Sequence, residues 1–359
     1  MRRFLLIAPL IVFALIGYVL PTQVEAILAR GPASAPNPAT LAFVSPTPSP
    51  LASTLAPDGQ TPRATAESGE RALVATPTPA IVATPTPIPG PVRRPNTERA
   101  PPTNAKSVVV MDGASGEILY ELNAHMRVAP ASTTKIMTSL VALENGKPSD
   151  VVIAEYDPKQ LDPDSTLMGV YRGDKVTLED LLYGVMLPSG NEASVAVANH
   201  IAGSTKAFAV LMNKRAVELG MLNSNFVNPH GLDEANHYSS AYDLTLAARY
   251  AYGRYPLFAD LSKTRIREVK SGDRTFDIYN LNRLLGLFEG ADGVKIGYTD
   301  AAGRTIIGSA SRNGNRVFVG LMNTQNTAED AAVLLEWAFR SFTWPVGPVP
   351  VSTPAVSTP

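Results

Sequence analysis

A serine and a lysine three residues apart, Ser132 and Lys135, begin a stretch in which apolar residues recur at helical intervals up to Asn145. If Ser132 lies in the first helical turn, Lys135 shares its face and brings an amine close to the hydroxyl. A lysine whose pKa is lowered by burial or by nearby cations can remove the serine proton and create a nucleophile. The N–H groups of that turn could then stabilise an oxyanion. The same two residues also fit a helix cap followed by a solvated charge.

Two further short motifs contain groups suited to the same chemistry. Ser189, Gly190 and Asn191 fall in a break between two expected helices, where a hydroxyl and a carboxamide could pass on a proton and hold a substrate amide. Lys295 and Gly297 lead into an expected strand, where the ammonium can bind a carboxylate and the glycine lets a substrate backbone approach closely. An N-capped loop and a hairpin turn with a surface lysine are the structural alternatives.

The elements that must position these motifs alternate between strands and helices. The dipeptide Asn313-Gly314 between two β-rich runs predicts a tight hairpin, and Thr177 followed by Asp180 predicts a capped helix start. The expected strands cover residues 107–111, 117–122, 304–311 and 316–322, and the expected helices cover 132–145, 177–187, 191–200, 206–219, 241–252 and 328–342. Strands at both ends with helices between them predict an α+β fold, in which an antiparallel sheet has helices on both faces.

The composition of the chain narrows the classes of function. Its 359 residues include no cysteine, which excludes disulfides, thiolate-bound zinc and cysteine nucleophiles. The net charge of −1 gives no electrostatic footprint for nucleic acid. The four histidines form no pair with metal-ligand spacing. We therefore expect no metal, no cofactor and no nucleic-acid partner.

Proline is distributed so unevenly that it divides the chain into regions. Residues 21–104 hold 18 of the 31 prolines, and residues 345–359 hold five more. Repeated Thr-Pro pairs favour extended, disordered chain over a packed core. We therefore predict a disordered Pro/Thr-rich linker at 27–104, a catalytic domain at 105–345 and a disordered tail at 346–359.

The first 26 residues have the composition of an export signal. Arg2 and Arg3 precede an uncharged apolar run at 4–20, and small residues ending at Ala26 suit a cleavage site. The run is intermediate in length between a signal peptide and a membrane span, so it could also remain as an anchor. We expect the protein outside the cytoplasm, in the cell envelope, either secreted or attached to the membrane only through this segment.

The order of the three motifs resembles the active-site set of the penicillin-recognising serine enzymes. The longer context, at residues 129–138, 186–193, 226–233 and 292–295, closely resembles the D-alanyl-D-alanine carboxypeptidase family, low-molecular-mass penicillin-binding proteins related to penicillin-binding protein 5. The resemblance implies the β-lactamase/transpeptidase-like α+β fold. It also implies removal of the terminal D-alanine from peptidoglycan stem peptides through an acyl-serine intermediate, with β-lactams as acylating inhibitors.

The resemblance implies a role for each residue of the first two motifs. Ser132 would be the nucleophile and Lys135 its general base. Ser189 would relay the proton to the leaving amine, and Asn191 would hold the acyl-side amide. In the stretch at 226–233, His230 is expected to be structural rather than catalytic.

The resemblance also implies the residues that bind the substrate. Lys295 would support the relay and the electrostatics of the substrate, and Gly297 would admit its backbone. The N–H groups of Ser132 and Tyr298 would form the oxyanion hole. Arg316 is matched by register to an arginine that meets the terminal carboxylate in this family.

Two departures from the family pattern qualify these expectations. Ile296 occupies a position where the family has a hydroxyl residue, usually threonine, that hydrogen-bonds the substrate carboxylate. Loss of that hydrogen bond would weaken binding of the carboxylate by on the order of 1 to 3 kcal/mol. Reduced or retuned activity is therefore expected rather than no activity. The extra C-terminal domain and amphipathic helix of some relatives have no counterpart in the Pro/Ser/Thr tail, so attachment to the membrane is expected only at the N-terminus.

Two other functions remain open at this point. A catalytically degenerate module that binds stem peptides or β-lactams without turnover would fit the departure at Ile296. A β-lactamase fits less well, because no E-x-x-L-N-like segment with a deacylating glutamate lies between Asn191 and Lys295.

Overall fold

A computed structural model describes residues 88–155 and 165–344 of the chain. The strands are β1 Val92–Arg93, β2 Ser107–Asp112, β3 Ile118–Leu122, β4 Val151–Ile153, β5 Lys175–Thr177, β6 Ile266–Ser271, β7 Arg274–Tyr279, β8 Ala291–Thr299, β9 Gly303–Arg312, β10 Asn315–Thr324 and β11 Phe342–Thr343. The α-helices are α1 Lys135–Asn145, α2 Leu178–Met186, α3 Asn191–Ala202, α4 Thr205–Leu219, α5 Ala241–Arg254, α6 Pro256–Lys263, α7 Leu284–Leu287 and α8 Thr327–Ser341.

Five of these strands form an antiparallel central sheet in the order β3-β2-β10-β9-β8. Strands from the beginning and the end of the domain are therefore neighbours, with β2 paired to β10. The hairpin between β9 and β10 turns at Asn313 and Gly314, which both have positive φ as a two-residue hairpin turn requires. The hairpin predicted at these residues is confirmed.

Helices cover both faces of this sheet, because its strands are apolar on both sides. Along β10, Phe318 and Met322 face one cluster while Val317, Val319 and Leu321 face the other, which is the period of two that a strand imposes. The inner core lies against α1 to α6 and includes Ile136, Leu140, Leu181, Phe208, Phe258 and Phe318. The outer core lies against α8 and includes Val108, Val317, Val319, Leu321, Leu334 and Leu335. The predicted α+β class is confirmed.

The helix starts follow from capping residues in the sequence. The hydroxyl of Thr177 accepts from the backbone N–H of Asp180 at 3.0 Å and begins α2. Ser204 and Ser240 cap α4 and α5 in the same way. Each cap satisfies a backbone donor that the first helical turn would leave unpaired.

The structure also contains elements that the sequence did not predict. Two small two-stranded antiparallel sheets, β4–β5 and β6–β7, and the helices α6 and α7 were not among the expected elements. Ser132 lies in a 3-10 turn at Ala131–Thr134 that precedes α1, rather than in the α-helix itself. Short elements such as these depend on tertiary contacts more than on local propensity.

The contacts of the domain begin earlier than the boundary predicted at residue 105. β1 pairs with β11, and the backbone N–H of Arg94 donates to Ser341 O at 2.8 Å. The indole N–H of Trp337 donates to Glu98 O at 3.0 Å, and Ala100 packs against the outer core. The last part of the Pro-rich region, residues 88–104, is therefore attached to the domain. The predicted signal segment, the linker up to residue 87 and the tail after residue 344 lie outside the described residues.

Among the described helices, none alone has the length and apolar character needed to cross a membrane. The pair α3 and α4, bent by 81° at their junction, meets those two criteria only when taken together.

Candidate active site

The nucleophile candidate Ser132 lies in a turn that a neighbouring loop holds tightly. Ala131 has a φ of +49°, which is uncommon for a residue with a side chain and stores on the order of 1 to 3 kcal/mol of strain. Gly231, with a φ of +91°, approaches so closely that a Cβ there would lie 1.9 Å from Ala131 O. The carbonyl of Pro229 accepts from Thr138 Oγ1 at 2.6 Å and ties the same loop to α1. The backbone around Ser132 is thus fixed by packing from outside its own helix.

Lys135 is fully buried and lies at the centre of the predicted site. Its Nζ is 3.1 Å from Ser132 Oγ, 2.6 Å from Asn191 Oδ1 and 2.7 Å from the backbone oxygen of His230. Burial and then the ammonium of Lys295 lower the pKa of Lys135 well below its usual range, while the carboxylate of Glu192 raises it. The environment therefore favours a neutral amine at Lys135.

The contacts of Lys135 decide how a neutral amine would be oriented. Two of its neighbours, Asn191 Oδ1 and His230 O, are carbonyl oxygens that can only accept, so they take the two N–H groups of the amine. The remaining lone pair then faces Ser132 Oγ, and the serine hydroxyl becomes the donor. This orientation is the one a general base needs toward a serine nucleophile.

The second motif reaches the site from the start of α3. Ser189 has a φ of +65°, and its Oγ is buried without a hydrogen-bond partner among the described residues. Asn191 is 3% exposed and, besides binding Lys135, donates from Nδ2 to Ser165 Oγ at 3.1 Å. Thr166 joins the two by accepting from Asn191 N at 2.9 Å and donating to Ser189 O at 2.8 Å. A fixed carboxamide therefore binds the lysine amine, and a buried hydroxyl without a partner in the described part of the chain lies two residues before it in the sequence.

The third motif lies on β8, the last strand on its side of the central sheet. Lys295 is 2% exposed, and its Nζ donates to Ile296 O at 3.1 Å. Burial lowers the pKa of Lys295 to about 7. A Cβ at Gly297 would lie 2.7 Å from Ser132 N, so only glycine lets the strand pass this close to the nucleophile turn. The side chain of Tyr298 is exposed and donates to Asp300 at 3.0 Å.

The side chain of Ile296 packs against the outer core. Its register partner on β9, Ile306, belongs to the same cluster, whereas Gly297 and its partner Thr305 face the nucleophile turn. The aliphatic residue at this position therefore has a packing role on the face of the sheet opposite Ser132.

Arg316 is not brought together with the other predicted site residues. Its Nη2 donates to Asp292 Oδ2 at 2.6 Å, and its guanidinium lies 3.9 Å from the ring centroid of Tyr252. Arg316 pairs with Ser311 on β9, six residues from the position that pairs with Gly297, a separation of about 20 Å along a strand. The match to a carboxylate-binding arginine relied on strand register, and the structure corrects it: Arg316 holds the opposite end of the sheet.

Two histidines support the nucleophile turn, and only one of them was singled out from the sequence. His230 contributes its backbone oxygen to Lys135, in agreement with a structural role, and burial is the largest of the effects that lower its pKa to about 3. His237 was not predicted. Its Nδ1 accepts from Val227 N at 3.1 Å, so its Nε2 carries the proton and donates to Thr134 Oγ1 at 2.9 Å. Burial lowers the pKa of His237 to about 4 and keeps it neutral.

A buried carboxyl group is a further feature that the sequence analysis missed. Glu192 is 1% exposed in the first turn of α3, and burial raises its pKa. A glutamate in the small, apolar sequence of α3 was the available signal. Among the described residues, no group of three or more acidic or histidine side chains is arranged to hold a metal ion.

The chain is similar in sequence to known D-alanyl-D-alanine carboxypeptidases. A family model described as D-alanyl-D-alanine carboxypeptidase matches residues 94–326. The carboxypeptidase DacF of Bacillus subtilis is 37% identical over 251 residues, which cover 66% of this chain and 63% of that protein. DacB2 of Mycobacterium tuberculosis is 32% identical, over 66% of this chain and 82% of that protein. The chain thus spans less than two thirds of the length of the DacF relative.

Solved structures with the same fold include two proteins from different bacteria. A variant of a Streptomyces DD-transpeptidase matches with a TM-score of 0.63 and 30% identity, over 67% of this chain and 99% of that one. A D-alanyl-D-alanine carboxypeptidase from Mycobacterium tuberculosis matches with a TM-score of 0.64 and 30% identity, over 72% of this chain and 100% of that one. These matches agree with the fold class expected from the three motifs.

Proposed function

Because the chain belongs to the D-alanyl-D-alanine carboxypeptidase family, we propose that it is a serine enzyme that removes the terminal D-alanine from peptidoglycan stem peptides. The observation that carries this proposal is the hydrogen-bond set of Lys135. Two carbonyl acceptors occupy the N–H groups of its neutral amine and leave the lone pair for the hydroxyl of Ser132.

The acylation step follows from this arrangement. Lys135 takes the proton of Ser132 as Oγ attacks the carbonyl carbon of the penultimate D-alanine. Negative charge develops on the carbonyl oxygen, where the N–H groups of Ser132 and Tyr298 would stabilise it. The close approach of β8 to Ser132 N at Gly297 supports this pairing of the two N–H groups.

Proton delivery to the leaving group completes the acylation. The proton held by Lys135 passes to the amine nitrogen of the departing D-alanine through Ser189 Oγ, which has no other partner among the described residues. The C–N bond breaks, and the acyl group remains on Ser132. Water then attacks the ester with Lys135 again as base, which releases the shortened peptide. The ammonium of Lys295 would attract the terminal carboxylate of the substrate.

Alanine variants of two serines, Ser132 and Ser139, test the proposal. Ser132→Ala removes the nucleophile, and we expect no D-alanine release from a peptide ending in D-Ala-D-Ala. We also expect no covalent penicillin adduct by intact-protein mass spectrometry, whereas the unaltered chain gives one adduct. Ser139→Ala is the control for loss of a hydroxyl, because Ser139 lies in α1 seven residues after Ser132 and its buried Oγ has no hydrogen-bond partner among the described residues. It should retain both reactions.

The two assays separate the proposal from its alternatives. Adduct formation with no D-alanine release would indicate a penicillin-binding module without turnover. Rapid hydrolysis of penicillin without peptide cleavage would indicate a β-lactamase. An adduct that persists in Ser132→Ala would contradict the assigned nucleophile.

We also infer that the enzyme acts outside the cytoplasm, with β-lactams as acylating inhibitors. The charged and apolar pattern of residues 1–26 and the peptidoglycan substrate of the proposed reaction support this location. Fractionation of cells expressing the full chain, with protease added outside intact spheroplasts, should degrade the domain. Replacing the apolar run at 4–20 with polar residues should keep the protein in the cytoplasm and protect it. Protection of the unaltered chain would contradict the inference.

A further inference from the structure

The backbone of a single residue beside the proposed proton relay, Gly169, is held from two sides. The N–H of Gly169 donates to Glu192 Oε1 at 2.8 Å, and its carbonyl accepts from Arg274 Nη1 at 3.0 Å. The φ of Gly169 is +100°, a conformation that residues with side chains rarely adopt. Two charged side chains from separate elements, α3 and β7, therefore meet at one unusual backbone position.

The guanidinium of Arg274 makes several further contacts. Its guanidinium lies between two aromatic rings, with 4.8 Å to the centroid of Tyr171 and 4.8 Å to that of Phe276. Its other terminal nitrogen forms an ion pair with Asp174, whose carboxylate also accepts from Tyr171 N at 2.8 Å. The planar fork of an arginine can serve the carbonyl and the carboxylate together, which a lysine cannot do.

Glu192 occupies a place that is costly for a carboxyl group. It is 1% exposed, and its second oxygen has no hydrogen-bond partner among the described residues. A buried polar atom without a partner costs about 1 to 3 kcal/mol. The other oxygen accepts from Gly169 N, a donor that an apolar residue at this position of α3 would leave without this partner.

The segment that precedes Gly169 contacts the second motif directly. We call residues 165–169 the relay loop. Ser165 Oγ accepts from Asn191 Nδ2 at 3.1 Å, Thr166 O accepts from Asn191 N at 2.9 Å, and Thr166 Oγ1 donates to Ser189 O at 2.8 Å. The relay loop therefore orients the carboxamide of Asn191 and the backbone of Ser189.

We propose that Glu192 and Arg274 are positioning residues, which act through the backbone N–H and C=O of Gly169 to hold the relay loop against Asn191 and Ser189. This inference rests on the proposed function, since it assigns the two residues to acyl transfer at Ser132. Neither side chain touches the reacting atoms. Both act on the geometry in which Asn191 binds Lys135 and Ser189 passes the proton, where small displacements have large effects on rate.

The test compares two arginines of the same hairpin in the full chain. Arg267 on β6 resembles Arg274, with a side chain 36% exposed against 39%, an ion pair to Asp180 at 2.9 Å and a stacking distance of 4.4 Å to Tyr183. It contacts α2 and not the relay loop. We expect Arg274→Gln to lower kcat for D-alanine release about tenfold with KM changed less than about twofold. Acylation by a fluorescent penicillin should slow in parallel, and Arg267→Gln should leave both rates unchanged.

Variants at Glu192 separate the hydrogen bond from the bulk of the side chain. Glu192→Ala should lower kcat about tenfold, and Glu192→Gln should restore it to within about threefold, because the amide oxygen still accepts from Gly169 N. The double variant Arg274→Gln/Glu192→Ala should lose much less than the product of the single effects, because both side chains hold the backbone of the same residue, Gly169.

The outcomes distinguish this inference from the function on which it rests. A wild-type chain that is neither acylated nor releases D-alanine overturns the proposed function and this inference with it. An active wild type overturns the inference alone if Arg274→Gln matches Arg267→Gln, if Glu192→Gln fails to rescue, or if the double variant is fully multiplicative.

Discussion

The roles proposed for the two buried lysines, Lys135 and Lys295, differ because their surroundings differ. Lys135 has three neighbours that define a lone-pair direction, whereas the one hydrogen bond of Lys295 among the described residues is to Ile296 O. Two adjacent buried ammonium groups repel each other, so the pair favours one neutral amine and one cation near neutral pH. The hydrogen bonds identify Lys135 as the neutral partner.

The pH dependence of activity should reflect the protonation of both lysines. On the acidic side, kcat/KM should rise with pH as Lys135 loses its proton and becomes a base. Above about pH 7 it should fall, because Lys295 has a pKa of about 7 and its loss of charge weakens the attraction of the carboxylate. In Lys295→Arg the guanidinium stays charged, so the alkaline decline near pH 7 should disappear even if the maximum is lower. An unchanged alkaline limb in that variant would contradict the role of Lys295.

The sequence predicted the central residues of the site, but not all of the residues that contact them. Ser132 and Lys135 could be paired from their spacing, whereas Asn191 was added to them through the resemblance of the three motifs to the family. Arg316 could not be placed, since its partner Asp292 lies two strands away in the sheet and the choice depends on tertiary register. Glu192 was missed because the one local signal, a glutamate within the largely small and apolar sequence of α3, does not by itself distinguish a buried carboxyl group from an exposed one.

At the scale of elements, the 3-10 turn at Ala131–Thr134 depends on the loop that contains Gly231. Asn228 braces this loop, with Oδ1 accepting from Gly231 N at 2.7 Å and Nδ2 donating to Leu232 O at 3.0 Å. The loop in turn gives Lys135 the carbonyl of His230. The geometry of the nucleophile therefore rests on an element about a hundred residues away in the sequence.

Gly231→Ala should inactivate the enzyme at the stage of acylation. The new Cβ would lie 1.9 Å from Ala131 O, and the φ of +91° adds strain, so the loop or the turn must move. We expect a decrease of more than tenfold in the rate of penicillin acylation, with a loss of roughly 2 kcal/mol or more in the free energy of unfolding.

Gly253→Ala provides the control at a glycine of ordinary conformation. Gly253 lies in α5, and a Cβ there meets no atom within 4 Å. Alanine should raise the free energy of unfolding by up to about 1 kcal/mol and leave the acylation rate unchanged. Equal effects of the two substitutions on acylation would contradict the proposed contact.

Prediction of the elements succeeded where a local signal was strong. The Asn313-Gly314 turn and the Thr177 cap were recognised because each requires particular residues at particular positions. The two-stranded sheets β4–β5 and β6–β7 were missed: β4 and β5 have only three residues each, and β6 and β7 are rich in charged residues and largely exposed on one face. Tertiary contacts, such as the hydrogen bond from Arg274 to the relay loop, stabilise these strands and cannot be predicted from local sequence.

At the scale of the whole domain, residues 88–104 close the outer core. Trp337 and Phe342 are 8% and 5% exposed, and their neighbours include Glu98, whose carbonyl accepts the indole N–H, and the short strand β1. The composition of this stretch resembles the preceding linker, so its contacts with the domain could not be predicted from composition. The five prolines of this stretch, at 89, 91, 95, 101 and 102, are compatible with these contacts, because a covering segment needs few ladder hydrogen bonds.

Removal of residues 88–104 should destabilise the domain without altering its site. We compare a chain starting at residue 88 with one starting at residue 105. Exposure of Trp337 and Phe342 and loss of the β1–β11 bonds should lower the free energy of unfolding by roughly 2 to 4 kcal/mol. The midpoint of urea unfolding measures this change, and penicillin acylation at low temperature serves as the control for an intact site. Equal midpoints would contradict the assigned boundary.

The pairing of β1 with β11 also has a topological consequence. It brings the entry of the chain into the domain and its last described strand side by side, so the two ends of the folded unit meet at one place. A short linker could join residue 344 to residue 88 without crossing the molecule. New ends could then be opened at Gly272, an exposed glycine in the turn of the β6–β7 hairpin. We therefore expect the domain to tolerate circular permutation. The position of its two ends connects it to the rest of the chain and is not required by the fold itself.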